Sequence, residues 1–243
     1  MARKKDKQIF ETDGLSYSLK FSQKLYRGVK AVADFLIALV ALIVLSPLFL
    51  ITAIAIKIDS KGPVFFVQKR IGKGGKEFNC IKFRSMAVEA NHNVAGYEYA
   101  EVKSYITRVG KVIRKLSIDE LPQLFCMLTF KMSLIGYRPL LGCEKEMDEE
   151  RKQYNVYQIR PGISGWAQVN GRDVLALQPK KKAGFDAYYV RHFSLWLDIK
   201  IFFMTIVKVF KCEDVVDGSL SKEETEVGQE VAVTQEEENK GVK

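Results

Sequence analysis

One apolar run dominates the pattern of the chain: from Ala31 to Ile56 the only charged residue is Asp34, and residues 35–56 give 22 uncharged positions in a row. As a helix this run measures about 33 Å at about 1.5 Å per residue, enough to cross a hydrocarbon core of about 30 Å. A secretory signal would have a shorter apolar core nearer the N-terminus and a small-residue cleavage site, so the segment is expected to be a retained membrane element. Near its middle Ser46-Pro47 interrupts the helix. Pro47 cannot donate to the carbonyl of Ile43 and its ring crowds that turn, while Ser46 can bond back to a freed carbonyl. A sharp bend is predicted, in either a kinked spanning helix or a re-entrant hairpin. Arg27 and Lys30 precede the run, and Lys57, Lys61, Lys69, Arg70, Lys73 and Lys76 follow it. Basic flanks at both ends suit two cytoplasmic ends.

Further along, Pro63–Gln68 and Phe78–Phe83 predict two short strands joined through Gly72-Lys73-Gly74-Gly75-Lys76. That glycine loop is compatible with a phosphate cradle or a simple hairpin turn, and it lacks the Gly-x-x-x-x-Gly-Lys-Ser/Thr spacing of a nucleotide loop. Residues 105–116 predict an amphipathic helix, with Val109, Val112, Ile113 and Leu116 opposed to Arg108, Lys111, Arg114 and Lys115. A second helix is expected from about Asp119 to Leu134, apolar nearly all round and so buried in protein or in contact with lipid. Residues 195–210 place Leu195, Ile199, Phe202, Ile206 and Val209 on one stripe, the pattern of an interfacial helix or of one facing a core.

Charge divides the chain. Residues 213–243 hold ten acids against three lysines and lack periodicity, which predicts a disordered acidic tail. The first 212 residues carry 35 basic and 19 acidic side chains, +16, and residues 1–30 form a basic arm expected to be partly disordered. A body this basic favours anionic partners: nucleic acid, lipid head groups or a phosphate-bearing substrate. Cys80, Cys126, Cys143 and Cys212 are widely spaced, with only His92 and His192 to join them. They are expected to be free thiols in a reducing compartment and not zinc ligands.

Candidate chemistry sits at Asp119-Glu120, between the basic helix and the apolar one. A helix start attracts phosphate through free backbone N–H groups and the positive dipole end. A carboxylate beside a phosphoryl group is useful only if cations neutralise the phosphate oxygens. Lys82, Arg84, Arg114, Lys115 and Arg138 are available for this, and Mg²⁺ can bridge carboxylate and phosphate. Asp119 could then attack phosphorus to form an acyl phosphate. The competing reading is local: Ser117-x-x-Glu120 is a capping box, or Asp119 is an N-cap with Pro122 in the first turn.

A longer series of motifs resembles one family. In order the chain has Leu45-Ser46-Pro47, Lys61-Gly62-Pro63-Val64-Phe65-Phe66, Gln68-Lys69-Arg70-Ile71-Gly72, Lys82-Phe83-Arg84-Ser85-Met86 and Ile106-Thr107-Arg108-Val109-Gly110. It continues with Asp119-Glu120-Leu121-Pro122-Gln123-Leu124, Met132-Ser133-Leu134-Ile135-Gly136-Tyr137-Arg138-Pro139, the run from Arg160 to Arg172, Tyr188-Tyr189 and Ser194-Leu195-Trp196-Leu197-Asp198. Over about residues 25–212 this resembles the monotopic phosphoglycosyl transferases, the bacterial sugar transferase family. The resemblance implies a predominantly α fold with a small β-hairpin, a re-entrant helical hairpin over 31–58 broken at Ser46-Pro47, interfacial amphipathic helices and a catalytic domain over 59–212. It implies transfer of a sugar 1-phosphate from a UDP-sugar to undecaprenyl phosphate, releasing UMP, at the cytoplasmic face of a bacterial plasma membrane. Asp119 would be nucleophile and Mg²⁺ ligand and Glu120 its partner, with Lys82, Arg84, Arg114 and Arg138 near the phosphates. Membrane lipids and downstream glycosyltransferases are the further partners implied, and no nucleic acid.

The chain departs from the family pattern at Tyr137, where Pro is typical, at Cys126, where Asn is common, and at Thr129-Phe130-Lys131, where a basic-Gly-acidic turn is usual. Larger members of the family carry additional N-terminal transmembrane helices, and this chain resembles the compact catalytic form. The alternative from another class is a non-catalytic membrane-bound scaffold of the same fold. A nucleic-acid binder is disfavoured by the apolar run and by the lack of a recognised nucleic-acid motif.

Overall fold

The computed structural model describes residues 17–88, 105–170 and 179–211; the acidic tail and the first sixteen residues of the basic arm lie outside them. The apolar run folds as two helices, α1 (Phe21–Val44) and α2 (Ser46–Asp59), bent by 63° at Leu45. Ser46 Oγ donates to the carbonyl of Ile43 at 2.8 Å, the acceptor that Pro47 leaves without its helical N–H. Among the described residues no single helix is long and apolar enough to cross a membrane, whereas this bent pair meets the length and composition test together. Replacing the proline restores the donor. In Pro47→Ala, spin labels at the exposed positions Val29 and Ile58 are expected to move about 6 Å apart, from the straightening of arms that rise about 1.5 Å per residue. An unchanged separation would place the bend in the tertiary contacts.

α1 begins earlier than the basic-arm boundary at residue 30 anticipates. Residues 21–30 are its first turns, ordered by contacts that composition does not reveal: Gln23 Nε2 donates to the carbonyl of Arg191 at 2.9 Å, and Tyr26 Oη donates to Asp198 at 2.7 Å.

Strands β1 (Phe65–Ile71) and β2 (Glu77–Phe83) pair antiparallel, from Phe65 opposite Phe83 to Ile71 opposite Glu77, and Gly72–Lys76 make the turn between them. The amphipathic helix is α3 (Arg108–Lys115). The expected helix over 119–134 is replaced by a 3-10 turn (Ile118–Glu120), a six-residue α4 (Gln123–Leu128) and strand β3 (Ser133–Ile135). Phe130 ends the helix in the left-handed region at φ 56°, and the N–H of Lys131 closes on the Cys126 carbonyl at 2.9 Å. The apolar residues beyond this stop belong to a buried strand, so helical periodicity overran it. β3 pairs in parallel with β4 (Gly162–Ser164), a second sheet that two three-residue segments could not announce. Gly136 and Gly162 approach so closely there that a Cβ on either would collide with the other's backbone.

The chain continues through α5 (Lys145–Gln153), α6 (Trp166–Val169), α7 (Pro179–Arg191) and α8 (Leu195–Lys211). The main core joins β3 to the last helices through Ile135, Tyr137, Trp166, Tyr189, Phe193 and Ile201. A second cluster packs Ala38 of α1 on Phe78, Cys80, Leu124, Met127 and Met132, and a third packs Ile56 of α2 on Phe83 and Ile113.

Asp34, the one charge within the apolar run, ties the bent helix pair to this body. Asp34 accepts from Ser133 Oγ at 2.6 Å and the Leu134 N–H at 3.3 Å, and pairs with Arg160 at 3.1 Å and Lys30 at 3.5 Å. Lys30 also meets Asp198 at 2.8 Å. The other side of the hairpin is apolar and uncovered: Val32, Leu36, Val40, Ile43, Leu50, Ile54 and Ile58 are exposed. On α8 the stripe residues Leu195, Ile199 and Phe202 are likewise exposed, with Trp196 and Phe203, while Asp198 and Ile201 face the core. An uncovered apolar surface of this extent is a contact surface.

Candidate active site

Three separate pieces of chain meet at Glu120. The residue is buried, and its Oε1 accepts from Lys82 Nζ at 2.8 Å and from Arg138 Nη1 at 3.1 Å. Lys82 comes from β2, in the pair that the Phe65–Phe83 register holds beneath α2. Arg138 follows β3, where the parallel pairing brings Tyr137 beside Pro161. Glu120 itself ends the 3-10 turn, entered through Ser117 at φ 55°. Asp119 lies in the same turn and is half-buried.

The local capping reading does not describe this turn. Ser117 makes no side-chain cap bond, and the Glu120 carboxylate is held by the two cations. Several amides of the turn are already used: the N–H groups of Glu120, Leu121, Leu124 and Phe125 bond to the carbonyls of Ser117, Ile118, Leu121 and Pro122.

The remaining expected residues divide. Arg114 stands in the last turn of α3, half-buried, and its carbonyl accepts from the Ser117 N–H at 3.0 Å, which ties it to the start of the Asp119 turn. Arg84 does not join the Glu120 cluster. It is buried against the end of the hairpin, donating to the carbonyls of Ser60 at 2.8 Å and Lys61 at 2.5 Å and to Ser60 Oγ at 2.9 Å. These contacts anchor the end of α2, apart from the Glu120 cluster. Gly62, at φ 121°, leaves the space that the guanidinium fills.

Sequence reasoning passed over other cations near the site. Arg70 donates to the Pro139 carbonyl at 3.2 Å and to Gln68 Oε1 at 2.8 Å; burial, then repulsion from Arg138, lowers its pKa. Lys182 is also shifted down, by burial and then by Arg151. Arg70 lay within a quoted motif, which was the available signal; Lys182 carried none. Beside Lys82, Cys80 is pushed down to about 7, first by its hydrogen bond with Cys126, whose own thiol is pushed up.

Among the described residues no group of three or more His, Cys, Asp or Glu side chains gathers to hold a metal. This donor set still fits Mg²⁺, which commonly takes one or two carboxylates and fills its shell with water and substrate phosphate oxygens. Asp119 is the residue that would hold it, since the Glu120 carboxylate is already engaged by Lys82 and Arg138. The arrangement suits a phosphate-bearing substrate: a half-buried carboxylate, next in sequence to a buried one that fixes two cations in place.

A family model described as "Bacterial sugar transferase" matches residues 25–212. Among similar proteins, the "UDP-N-acetylgalactosamine-undecaprenyl-phosphate N-acetylgalactosaminephosphotransferase" of Aeromonas hydrophila is 45% identical over 186 residues, 75% of this chain and 44% of the relative. The "UDP-glucose:undecaprenyl-phosphate glucose-1-phosphate transferase" of Xanthomonas campestris pv. campestris is 42% identical over 187 residues, 74% of this chain and 38% of the relative. The chain thus spans less than half the length of these two. The "Uncharacterized sugar transferase EpsL" of Bacillus subtilis (strain 168) is 39% identical over 187 residues, 77% of this chain and 90% of the relative. A family match across most of the chain and identities of this size lead to one conclusion: this chain belongs to the bacterial sugar transferase family.

Proposed function

We propose that the chain transfers a sugar 1-phosphate from a UDP-sugar to undecaprenyl phosphate at a bacterial membrane, with Asp119 as nucleophile. One observation carries the reading: the buried Glu120 carboxylate gripped by Lys82 and Arg138, directly beside the half-buried Asp119. A carboxylate oxygen of Asp119 attacks the sugar-linked phosphorus, the bond from that phosphorus to the UMP oxygen breaks, and UMP leaves. A phosphate oxygen of the lipid then attacks the phospho-aspartyl group, the bond to Asp119 breaks, and the carboxylate is regenerated with a lipid pyrophosphate sugar as product. Lys82 and Arg138 hold positive charge where the donor phosphates must lie, and Glu120 keeps both side chains aimed. Mg²⁺ bound at Asp119 would supply charge neutralisation of the donor phosphates. The exposed apolar faces of α1, α2 and α8 rest in lipid, with the hairpin re-entrant and the catalytic body on the cytoplasmic side, where a nucleotide sugar and a lipid phosphate can both reach Asp119.

The test is UMP release by the protein in lipid nanodiscs, with undecaprenyl phosphate and UDP-glucose, UDP-galactose, UDP-N-acetylglucosamine or UDP-N-acetylgalactosamine. The two named relatives carry different sugars in their names, so the panel covers both. Release is expected with at least one donor. Donor without lipid should leave a sugar phosphate on Asp119, visible in the intact mass. Chelation of divalent cations is expected to lower the rate by about 100-fold or more, with Mg²⁺ restoring it. No release from any donor favours the scaffold, and release without an adduct or donor–UMP exchange removes the covalent step.

A further inference from the structure

The cation that grips Glu120 is itself held from behind. Arg151, on α5, is fully buried and pairs with Asp186 on α7, its Nε at 2.9 Å and its Nη2 at 2.6 Å from Oδ2. Its remaining donor, Nη1, reaches the backbone carbonyl of Arg138 at 2.8 Å. The guanidinium lies over the ring of Tyr137, 4.9 Å from the centroid. The next carbonyl, that of Pro139, takes Arg70 Nη1 at 3.2 Å. Guanidinium groups from two different elements therefore hold two consecutive carbonyls, that of Arg138 itself and that of Pro139.

We propose that Arg151, oriented by Asp186, is a positioning residue for Arg138: it sets the backbone from which Arg138 reaches Glu120. The proposal extends the transferase reading above and names a residue outside the site expected from sequence. A planar guanidinium offers donors in fixed directions, so one side can grip a carboxylate while another grips a carbonyl. A lysine is a point charge that satisfies one or the other. If the ion pair only fastened α5 to α7, apolar residues of similar volume would do as well. The bond to the Arg138 carbonyl distinguishes the two roles, because it ends on the residue whose side chain touches Glu120. A displacement of about 1 Å in such a contact can cost about 100-fold in rate.

The experiment replaces both charges at once, R151M/D186L, so that neither is stranded in the interior. In the full-length protein in nanodiscs, kcat is expected to fall about 10- to 100-fold with the donor KM within about twofold of wild type. Arg138→Ala in the same background should lose no more than Arg138→Ala alone, since both changes act through one contact. Arg151→Lys, which keeps a cation beside Asp186, should not rescue the rate, and it serves as the measured variant if the double change fails to fold. A folded variant with wild-type kcat, or losses that multiply with Arg138→Ala, overturns the proposal. A structure of the variant gives a readout free of activity: the Arg138–Glu120 contact, 3.1 Å here, should open beyond hydrogen-bonding distance, and an unchanged contact overturns positioning. If the wild type released no UMP from any donor, the transferase reading would fall while this distance still decided the role of Arg151.

Discussion

Asp119→Asn is expected to stop turnover, lowering UMP release by about 10³-fold or more and eliminating the covalent adduct. The substitution is almost isosteric and leaves the turn intact, because Ile118–Glu120 is set by backbone bonds from Glu120 to Ser117 and from Leu121 to Ile118. What it removes is negative charge. An amide oxygen is a poor nucleophile toward phosphorus and a weaker ligand for a hard cation. The melting temperature should therefore stay close to wild type, which separates loss of chemistry from loss of fold. Glu120→Gln makes the complementary case. It leaves Lys82 and Arg138 facing each other without the carboxylate that both touch, and a rate loss of about 10- to 100-fold is expected from cations that have drifted. Wild-type UMP release in Asp119→Asn would end the nucleophile assignment.

Asp34→Ala carries the largest stability effect, about 3–5 kcal/mol, because it takes the carboxylate from the buried Arg160, while Lys30 keeps Asp198. Asp34 is 2% exposed, and its carboxylate serves Lys30, Arg160, Ser133 Oγ and the Leu134 N–H. Deleting it costs the hairpin its fixed angle to β3 as well as the pairing. At about 2–4 °C per kcal/mol for a chain of this size, the midpoint should drop by about 10 °C or more in thermal unfolding of the nanodisc-bound protein. Asp34→Asn should cost less, since an amide oxygen still accepts from Ser133 and the Leu134 N–H. A midpoint unmoved by Asp34→Ala would mean that apolar packing and the contacts of Gln23, Tyr26 and Lys30 hold the helix pair on the body without it.

The apolar side chains of α1 and α2 and the basic surroundings of Asp119 were legible because each is written in consecutive residues. Pro47 lacks a donor wherever it sits in a helix, so the bend needed no tertiary information, and Ser46 closed it on the carbonyl foreseen. The strand pair β1–β2 followed from two nearby apolar runs and the glycines between them. The stop at Phe130 was not legible in hydropathy, because Leu128 and Met132 continue the apolar pattern beyond its polar neighbours; only the turn usual in the family at Thr129-Phe130-Lys131 pointed to it.

The site shows the same division. Asp119, Glu120, Lys82 and Arg138 could be named as candidates from charge and motif, but that Lys82 and Arg138 share one oxygen of Glu120 depends on β2 and β3 arriving there from distant parts of the chain. Arg84 had the same charge and a place in the same motif, yet its strand delivers it to the carbonyls at the end of α2. In the sequence Asp34 is only the one charge of an apolar run; the structure closes Ser133, Arg160 and Lys30 around it. By itself the sequence determined the long apolar run, its break and the acidic pair, since these are properties of neighbouring residues: hydropathy, a missing donor, adjacent charge. Only the tertiary structure decided which cation meets which carboxylate, because an ionic contact is a matter of a few ångströms between side chains that the sequence holds far apart.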